Sequence, residues 1–392
     1  MTSFEQVKEK CDRYLFHNYG RQEIAFTHGK GCYLYDTEGK EYLDLVAGIA
    51  VNALGYAHPD WVAAVQAQAA RMAHVSNLYY VEQQGELAER IASIAPAGID
   101  RTLFVNSGAE ANEAALKMAV KYTGRKKIMS ALDGFHGRTS AALGATGQKK
   151  YQSGFEPLIS DAYEYFPYGD AEAVKKMITK DVAAVIVEPI QGESGVITAP
   201  AEFFKAVRDL CTDSGALMIV DEVQTGIGRT GEWYGIQNFG VVPDAITMAK
   251  ALGGGVPIGA VSSTEEFSST MTPGTHGTTF GGSPLVCTAG CATLDIMKRD
   301  RIVEHSKSLG EEWRSKIRAI PSDKIREVRG YGLMTGIEMD SPETASMIQR
   351  ECRDRGILVN VAHGKTLRLV PPLIIMSEQT DAFTDALADI LS

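Results

Sequence analysis

Val182-Ala-Ala-Val-Ile-Val187, followed at once by Glu188, is the stretch on which the fold turns. Six apolar residues without a polar alternation mark a strand buried on both faces, which occurs where helices cover both sides of a parallel sheet. The surrounding sequence repeats that theme. On the C-terminal side, Glu202–Ser214 places Phe203, Phe204, Val207, Leu210 and Cys211 at helical spacing, and Ala216–Val220, Ala245–Ala249 and Gly259–Ser263 supply further short apolar runs. On the N-terminal side, Thr102–Val105 reads as a strand. The helix after it carries Ala111, Ala114, Ala115, Met118 and Tyr122 on one face and ends at Gly124; Lys127–Leu132 is another strand. Alternation of strand and helix from about residue 100 to 263 predicts an α/β layer fold with right-handed crossovers.

Outside that region the pattern changes. Helices are expected at about 284–298, 301–319 and 342–355, a strand at Val328–Asp340, strands near 357–362 and 366–370, and a last helix from Glu378. Strands Cys32–Asp36 and Tyr42–Asp44 fall in the first 45 residues. The expected organisation is a large α/β domain over 46–283 and a smaller α+β domain made of 1–45 with 284–392. At 392 residues, two units are what size alone suggests.

Composition narrows the function. With 39 basic and 49 acidic residues the net charge is −10, the wrong sign for a protein that grips nucleic acid by its phosphates. The longest aliphatic runs are far below the ~20 residues that span a bilayer. The opening ten residues lack the apolar core of a leader, so a cytoplasmic protein is expected. Six scattered cysteines without C-x-x-C fit reduced thiols. Cys287 and Cys291 stand four apart with no histidine at zinc spacing, so no metal is expected. Gly226-Ile-Gly228-Arg-Thr-Gly231 matches G-x-G-x-x-G, yet no helix opens there and no acidic residue follows at the dinucleotide spacing; it reads as a tight loop.

The stronger signal is positional. Open α/β sheets bind ligands at the carboxyl ends of their strands. Four such ends carry Asn106-Ser107-Gly108, Glu188, Asp221 and Lys250. Ser107-Gly108-Ala109 opens a helix whose amides and dipole suit a phosphate, although plain capping by Ser107 explains the serine equally well. Asp221 ends a run that buries its carboxylate, which then needs a cationic partner. Lys250, before Gly253-Gly254-Gly255, is a candidate imine-forming nucleophile with a lowered pKa. Phosphate site, buried aspartate and buried lysine are what pyridoxal phosphate asks of a protein.

At this point seven segments, in order, resemble the class III pyridoxal-phosphate aminotransferases of fold type I. They are Gly48-Ile-Ala-Val-Asn52, Asn106-Ser-Gly-Ala-Glu-Ala-Asn-Glu113, Gly134-Phe-His-Gly-Arg-Thr139, Val187-Glu-Pro-Ile-Gln-Gly-Glu193, Val220-Asp-Glu-Val-Gln-Thr-Gly226, Ala249-Lys250 and His276-Gly-Thr-Thr-Phe-Gly-Gly282. Gly48–Asn52 and Ser76-Asn-Leu-Tyr-Tyr80 are most similar to the acetylornithine branch of that class. The resemblance implies a large domain with a mostly parallel sheet and a smaller α+β domain. It implies Lys250 as the cofactor-linked lysine and proton carrier, and Asp221 at the pyridine nitrogen. Ser107, Gly108 and Ala109 would lie at the phosphate, Phe135 on the ring, Gln224 near its phenolic oxygen, and Glu188 and Val223 around it. His136 is expected to pack or support rather than act as base.

Arg138 and Arg368 would clamp substrate carboxylates, with Glu193 pairing the second arginine while an ω-amine donor is bound, and Thr278 would touch substrate. Thr279 would reach the phosphate of a neighbouring subunit, which implies a homodimer with shared active sites. The implied reaction is ping-pong transfer of an ω-amino group, that of N2-acetylornithine foremost, to 2-oxoglutarate. Ornithine, succinylornithine, succinyl-diaminopimelate and 4-aminobutyrate are alternative donors, and a non-catalytic cofactor-binding homologue is a further alternative. Ser283 and Gly55-Tyr-Ala-His58 depart from the common pattern of the class without touching a catalytic role.

Overall fold

The computed structural model describes residues 2–392. Its centre is a seven-stranded sheet: β1 (Arg101–Val105), β2 (Lys127–Ala131), β3 (Tyr163–Phe166), β4 (Val182–Val187), β5 (Leu217–Asp221), β6 (Ala245–Met248) and β7 (Gly259–Ser263). The spatial order is β1-β7-β6-β5-β4-β2-β3. All neighbours run parallel except β7, which is antiparallel to both β6 and β1. Six of the strands therefore point their carboxyl ends the same way, and β4 and β5 sit in the interior of the sheet.

Burial explains why the apolar runs became strands here. Every residue of β4 and β5 is buried. Ala184, Ile186, Leu217 and Ile219 pack with Ala114, Ala115, Met118 and Ala119 of helix α1 (Gly108–Thr123). Their alternates Val185, Val187, Met218 and Val220 lie in the opposite core with Phe203, Phe204 and Val207 of Ala201–Ser214. A strand between two such layers has no solvent face, which is why it shows no period of two. The strand β3 is half-buried at the sheet edge, and its Tyr-Glu-Tyr-Phe lacks the continuous apolar signature of its neighbours, so its sequence does not announce a strand.

A second antiparallel sheet is built from Ile325–Tyr331, Met334–Met339, Thr366–Leu369 and Asn360–Ala362. The single strand expected over Val328–Asp340 is instead two strands of a hairpin. Gly332 (φ +50°) makes the turn, and a Cβ there would lie within 2.4 Å of the Thr230 carbonyl carbon. Only glycine meets both demands, so Gly332 breaks the run where the chain must turn. Strands Phe26–Lys30, Tyr33–Asp36 and Glu41–Asp44 join Ile357–Leu358 in one sheet, so the beginning and end of the chain share hydrogen bonds. Helices Pro284–Arg299, Ile302–Arg318, Pro342–Asp354 and Ser377–Leu391 complete the C-terminal part.

Among the described residues no helix is long and apolar enough to cross a membrane. Gly226–Gly231 is a loop, and the next helical element is only the short 3₁₀ turn Gly235–Phe239.

Candidate active site

The carboxyl ends of the central strands open into a cavity of about 460 Å³ lined by residues of all four segments singled out above. Ser107, Gly108 and Ala109 come from the start of α1, Glu188 follows β4, Asp221 ends β5, and Lys250 lies two residues past β6. Phe135, Arg138, Val223 and Gln224 line the same space.

At the α1 end, Ser107 Oγ accepts the Glu110 amide at 3.2 Å. That leaves the Gly108 and Ala109 amides without an acceptor inside the helix, at the positive end of its dipole. A Cβ on Gly108 would approach the Val223 methyls to 2.7 Å, so glycine is what lets α1 start against that wall. Capping by Ser107 engages the Glu110 amide and so leaves the Gly108 and Ala109 amides available to an anion.

Asp221 is buried and held on both oxygens. Oδ2 meets His136 Nδ1 at 2.8 Å and the Asn112 side-chain amide at 2.8 Å; Oδ1 accepts the Val223 amide at 3.0 Å. Asn112 is fixed in turn by donating to the His136 carbonyl at 2.7 Å and accepting from Thr247 Oγ1 at 2.7 Å. Burial opposes charge on His136, but the hydrogen bond to Asp221 and the charges of Asp221 and Glu188 outweigh it, so its pKa rises. The cationic character that the buried aspartate required thus begins with His136, whose ring supports Asp221. Asn112 and Thr247 were not anticipated. The available sign was an asparagine on the buried face of α1.

Glu188 is buried and accepts the Phe135 amide at 3.0 Å. Burial, reinforced by Asp221, pushes its pKa up while His136 pulls it down. Lys250 has φ +33°, a strained backbone for a residue with a side chain. Burial pulls its pKa below that of a free lysine; Glu193 opposes and Arg368 reinforces that shift. A lysine so placed exposes a neutral amine at lower pH than one in water.

Glu193 and Arg368 face an adjoining cavity of about 540 Å³ with Lys150, Tyr151 and Asn360. Arg368 Nη1 donates to Glu193 Oε1 at 2.6 Å and to Gln224 Oε1 at 3.3 Å, while Asn360 Oδ1 accepts from its Nε and Nη2. Gln224 Nε2 reaches Glu193 Oε1 at 3.4 Å, so Gln224 lies between the two cavities. Burial alone would raise the Glu193 pKa, but Arg368 more than reverses it and the net shift is downward. Arg138 is exposed and its guanidinium lies 3.9 Å from the Tyr151 ring centroid and 5.6 Å from that of Phe135. Held by aromatic faces rather than by a carboxylate, it keeps its donors for an anion.

Thr278 and Thr279 do not line the cavity. Thr278 Oγ1 accepts from Asn106 Nδ2 at 2.8 Å, and Glu110 receives the Asn106 backbone and side-chain amides. Thr279 is exposed. Cys287 and Cys291 are buried, and burial raises both thiols to about 12.

The residues present fit pyridoxal phosphate: free amides at a helix start, an aromatic wall, a buried carboxylate held as an acceptor, and a lysine with a lowered pKa. The comparisons with known proteins agree. The model of the class III aminotransferases matches residues 15–391. The acetylornithine aminotransferase of Methanothermobacter thermautotrophicus is 44% identical over 390 residues, 99% of each chain, and that of Methanosarcina mazei 46% over 386 residues, 98% of this chain and 96% of its own. The crystal structure of ornithine aminotransferase from Toxoplasma gondii superposes with a TM-score of 0.95 at 31% identity, covering 100% of this chain and 95% of that one. Acetylornithine aminotransferase from Elizabethkingia anophelis gives 0.89 at 32%, covering 100% and 99%. The chain belongs to the class III aminotransferases, enzymes that depend on pyridoxal phosphate.

Proposed function

We propose that the enzyme moves the ω-amino group of N2-acetylornithine to 2-oxoglutarate in a ping-pong cycle, yielding N-acetylglutamate 5-semialdehyde and glutamate. Acetylornithine aminotransferases that match along nearly the whole chain support that donor. Pyridoxal phosphate, when bound, supplies the aldehyde that carries the amino group and the ring that takes up electrons from the substrate carbon. The remaining work falls to the protein. Gly108 and Ala109 amides with Ser107 would hold the phosphate. Asp221, immobilised by His136, Asn112 and the Val223 amide, keeps a proton at the pyridine nitrogen. Phe135, Glu188, Val223 and Gln224 line the cavity, where Phe135 would lie against the cofactor ring, Gln224 near its phenolic oxygen, and Glu188 and Val223 around it. Lys250, whose pKa burial lowers, would supply a neutral Nζ to take and return the proton at the reacting carbon.

The observation that carries the reading is the 2.6 Å Glu193–Arg368 pair in the cavity adjoining Lys250. While it is closed, the only unpaired site arginine is Arg138, which suits a donor whose carboxylate lies far from its reacting amine. When it opens, Arg368 accepts the carboxylate next to the keto group of 2-oxoglutarate, and Arg138 takes the distal one. Ornithine is the second reading, favoured by the 0.95 superposition on an ornithine aminotransferase.

The same proposal makes the enzyme a cytoplasmic homodimer with shared active sites. Unpaired cysteines suit a reducing compartment. Leu78, Tyr79, Tyr80 and Phe280 are exposed, and Asn77 ties that segment to the 276–282 loop through the Thr278 and Gly281 carbonyls. The patch suits burial by a second copy, with Thr279 reaching the partner's phosphate and Thr278 its substrate. The purified enzyme is expected to show the visible absorbance of bound cofactor, fixed to the chain by borohydride at Lys250. Lys250→Ala abolishes that attachment. A wild-type protein that gains no visible band with added cofactor contradicts the reading.

A further inference from the structure

Glu193 sits on a tight turn whose position the surrounding hydrogen bonds dictate. Gln191 Nε2 donates to the Leu132 carbonyl at 2.8 Å and Ser194 Oγ to the Asp133 carbonyl at 2.5 Å, which pins the turn to the large sheet. Gly195 (φ +100°) and Val196 (φ +59°) follow, two successive left-handed residues that aim their carbonyls at the C-terminal sheet. Arg329 waits there. It is buried, and every nitrogen of its guanidinium is engaged. Nε donates to the Gly195 and Val196 carbonyls at 3.2 and 3.1 Å; Nη2 donates to Gly195 O at 2.8 Å and Thr366 Oγ1 at 3.4 Å. Nη1 reaches Glu327 and Glu338 at 2.6 and 2.7 Å, and Glu338 also pairs with Lys365 at 2.7 Å.

The sheet that holds Arg329 is the one that carries Arg368. Thr366, which touches Arg329, stands two residues before Arg368 on the same strand, hence on the same face. One guanidinium therefore fastens the turn bearing Glu193 to the strand bearing its partner. A Cβ at Gly195 would come within 2.7 Å of Thr366 Oγ1, a measure of how closely turn and sheet are pressed together.

We infer that Arg329 is a positioning residue for substrate selection: by clamping the Gly195–Val196 backbone to the C-terminal sheet it sets the distance across which Glu193 neutralises Arg368. This rests on the reading of Glu193 and Arg368 as the element that admits one substrate at a time. With the backbone fixed, opening is confined to rotation of the Glu193 side chain, and the closed pair reforms in each cycle. Without the clamp the turn drifts, Arg368 stays unmasked for longer, and an amino acid with its carboxylate beside the reacting amine competes better with the ω-amine donor.

The test compares single half-reactions of the pyridoxal-phosphate enzyme with glutamate and with N2-acetylornithine, in wild type, Arg329→Lys, Glu193→Gln and the double variant. Lysine keeps the charge but cannot hold two carbonyls and two carboxylates at once. The ratio of kcat/KM for glutamate to that for acetylornithine is expected to rise roughly tenfold in Glu193→Gln and about fivefold in Arg329→Lys. The double variant should exceed Glu193→Gln by no more than about twofold, because both act through one element. Glu338→Gln, which leaves Arg329 in place but removes one anchor, should shift the ratio about twofold in the same direction and keeps the test open should Arg329→Lys not fold. A ratio unchanged in both Arg329→Lys and Glu338→Gln, beside a shifted ratio in Glu193→Gln, overturns the clamp alone. A ratio unchanged in Glu193→Gln overturns the substrate-selection reading and the clamp with it.

Discussion

Asp221 and Lys250 were legible because one ends a buried apolar strand and the other follows one by two residues, where a charged group has no structural reason to be. Arg138 and Arg368 needed the family resemblance, since an arginine after a glycine or on a short strand has many ordinary uses. The partners of Asn112 and Thr247 were not readable for a physical reason: each is a mid-element polar residue whose partner arrives only when α1 packs over β5 and β6. The network carries consequences. Asp221→Asn is expected to lower the transamination rate by at least ~10²-fold while the folded structure survives, measured by single-turnover kinetics and thermal melting. Thr247→Val leaves the Asn112 carbonyl without its donor inside the core; a loss of about 1–2 kcal/mol in denaturant unfolding is expected, with a smaller, few-fold loss of rate.

Strands buried on two faces were readable from composition alone, and strands with a mixed environment were not. β4 and β5 declare themselves, whereas β3 at the edge and the hairpin around Gly332 depend on neighbours distant in sequence. Glu222, directly after β5, shows how an element is tied down at its end. Its carboxylate accepts the Gly235 and Ile236 amides at 2.8 Å and the Thr225 hydroxyl at 2.5 Å, closing the loop after β5 onto the 3₁₀ turn. Burial, the dominant influence, raises its pKa to about 7 despite those hydrogen bonds. A carboxyl with a raised folded pKa binds more protons folded than unfolded. It therefore withdraws stability as pH climbs from its unfolded value near 4.5 to about 7, and is without further effect above that. Glu222→Gln removes this contribution. Relative to the variant, wild type should lose on the order of 3 kcal/mol between pH 4.5 and 7, read by denaturant melts at stepped pH. Parallel melting curves for the two across that range would contradict the assignment.

At the scale of the whole molecule, a net charge of −10 conceals three cations gathered at one place beside three carboxylates. Lys250, Arg138 and Arg368 converge on two adjoining cavities, with only Arg368 paired to a carboxylate. The proposed dimer completes that site. A Leu78→Glu, Tyr80→Glu double variant should sediment as single chains and lose cofactor on dilution, because Thr279 then has no partner phosphate; a dimer that persists points to a different interface. With Glu193 closed on Arg368, Arg138 is proposed to take the carboxylate of N2-acetylornithine in preference to that of a shorter ω-amine donor. The most direct measurement is the loss of visible cofactor absorbance when the purified enzyme meets single amines without any keto acid. N2-acetylornithine is expected to bleach the band at a kcat/KM well above that of 4-aminobutyrate, with Arg138→Ala abolishing the preference. Bleaching by 4-aminobutyrate and not by acetylornithine would contradict it.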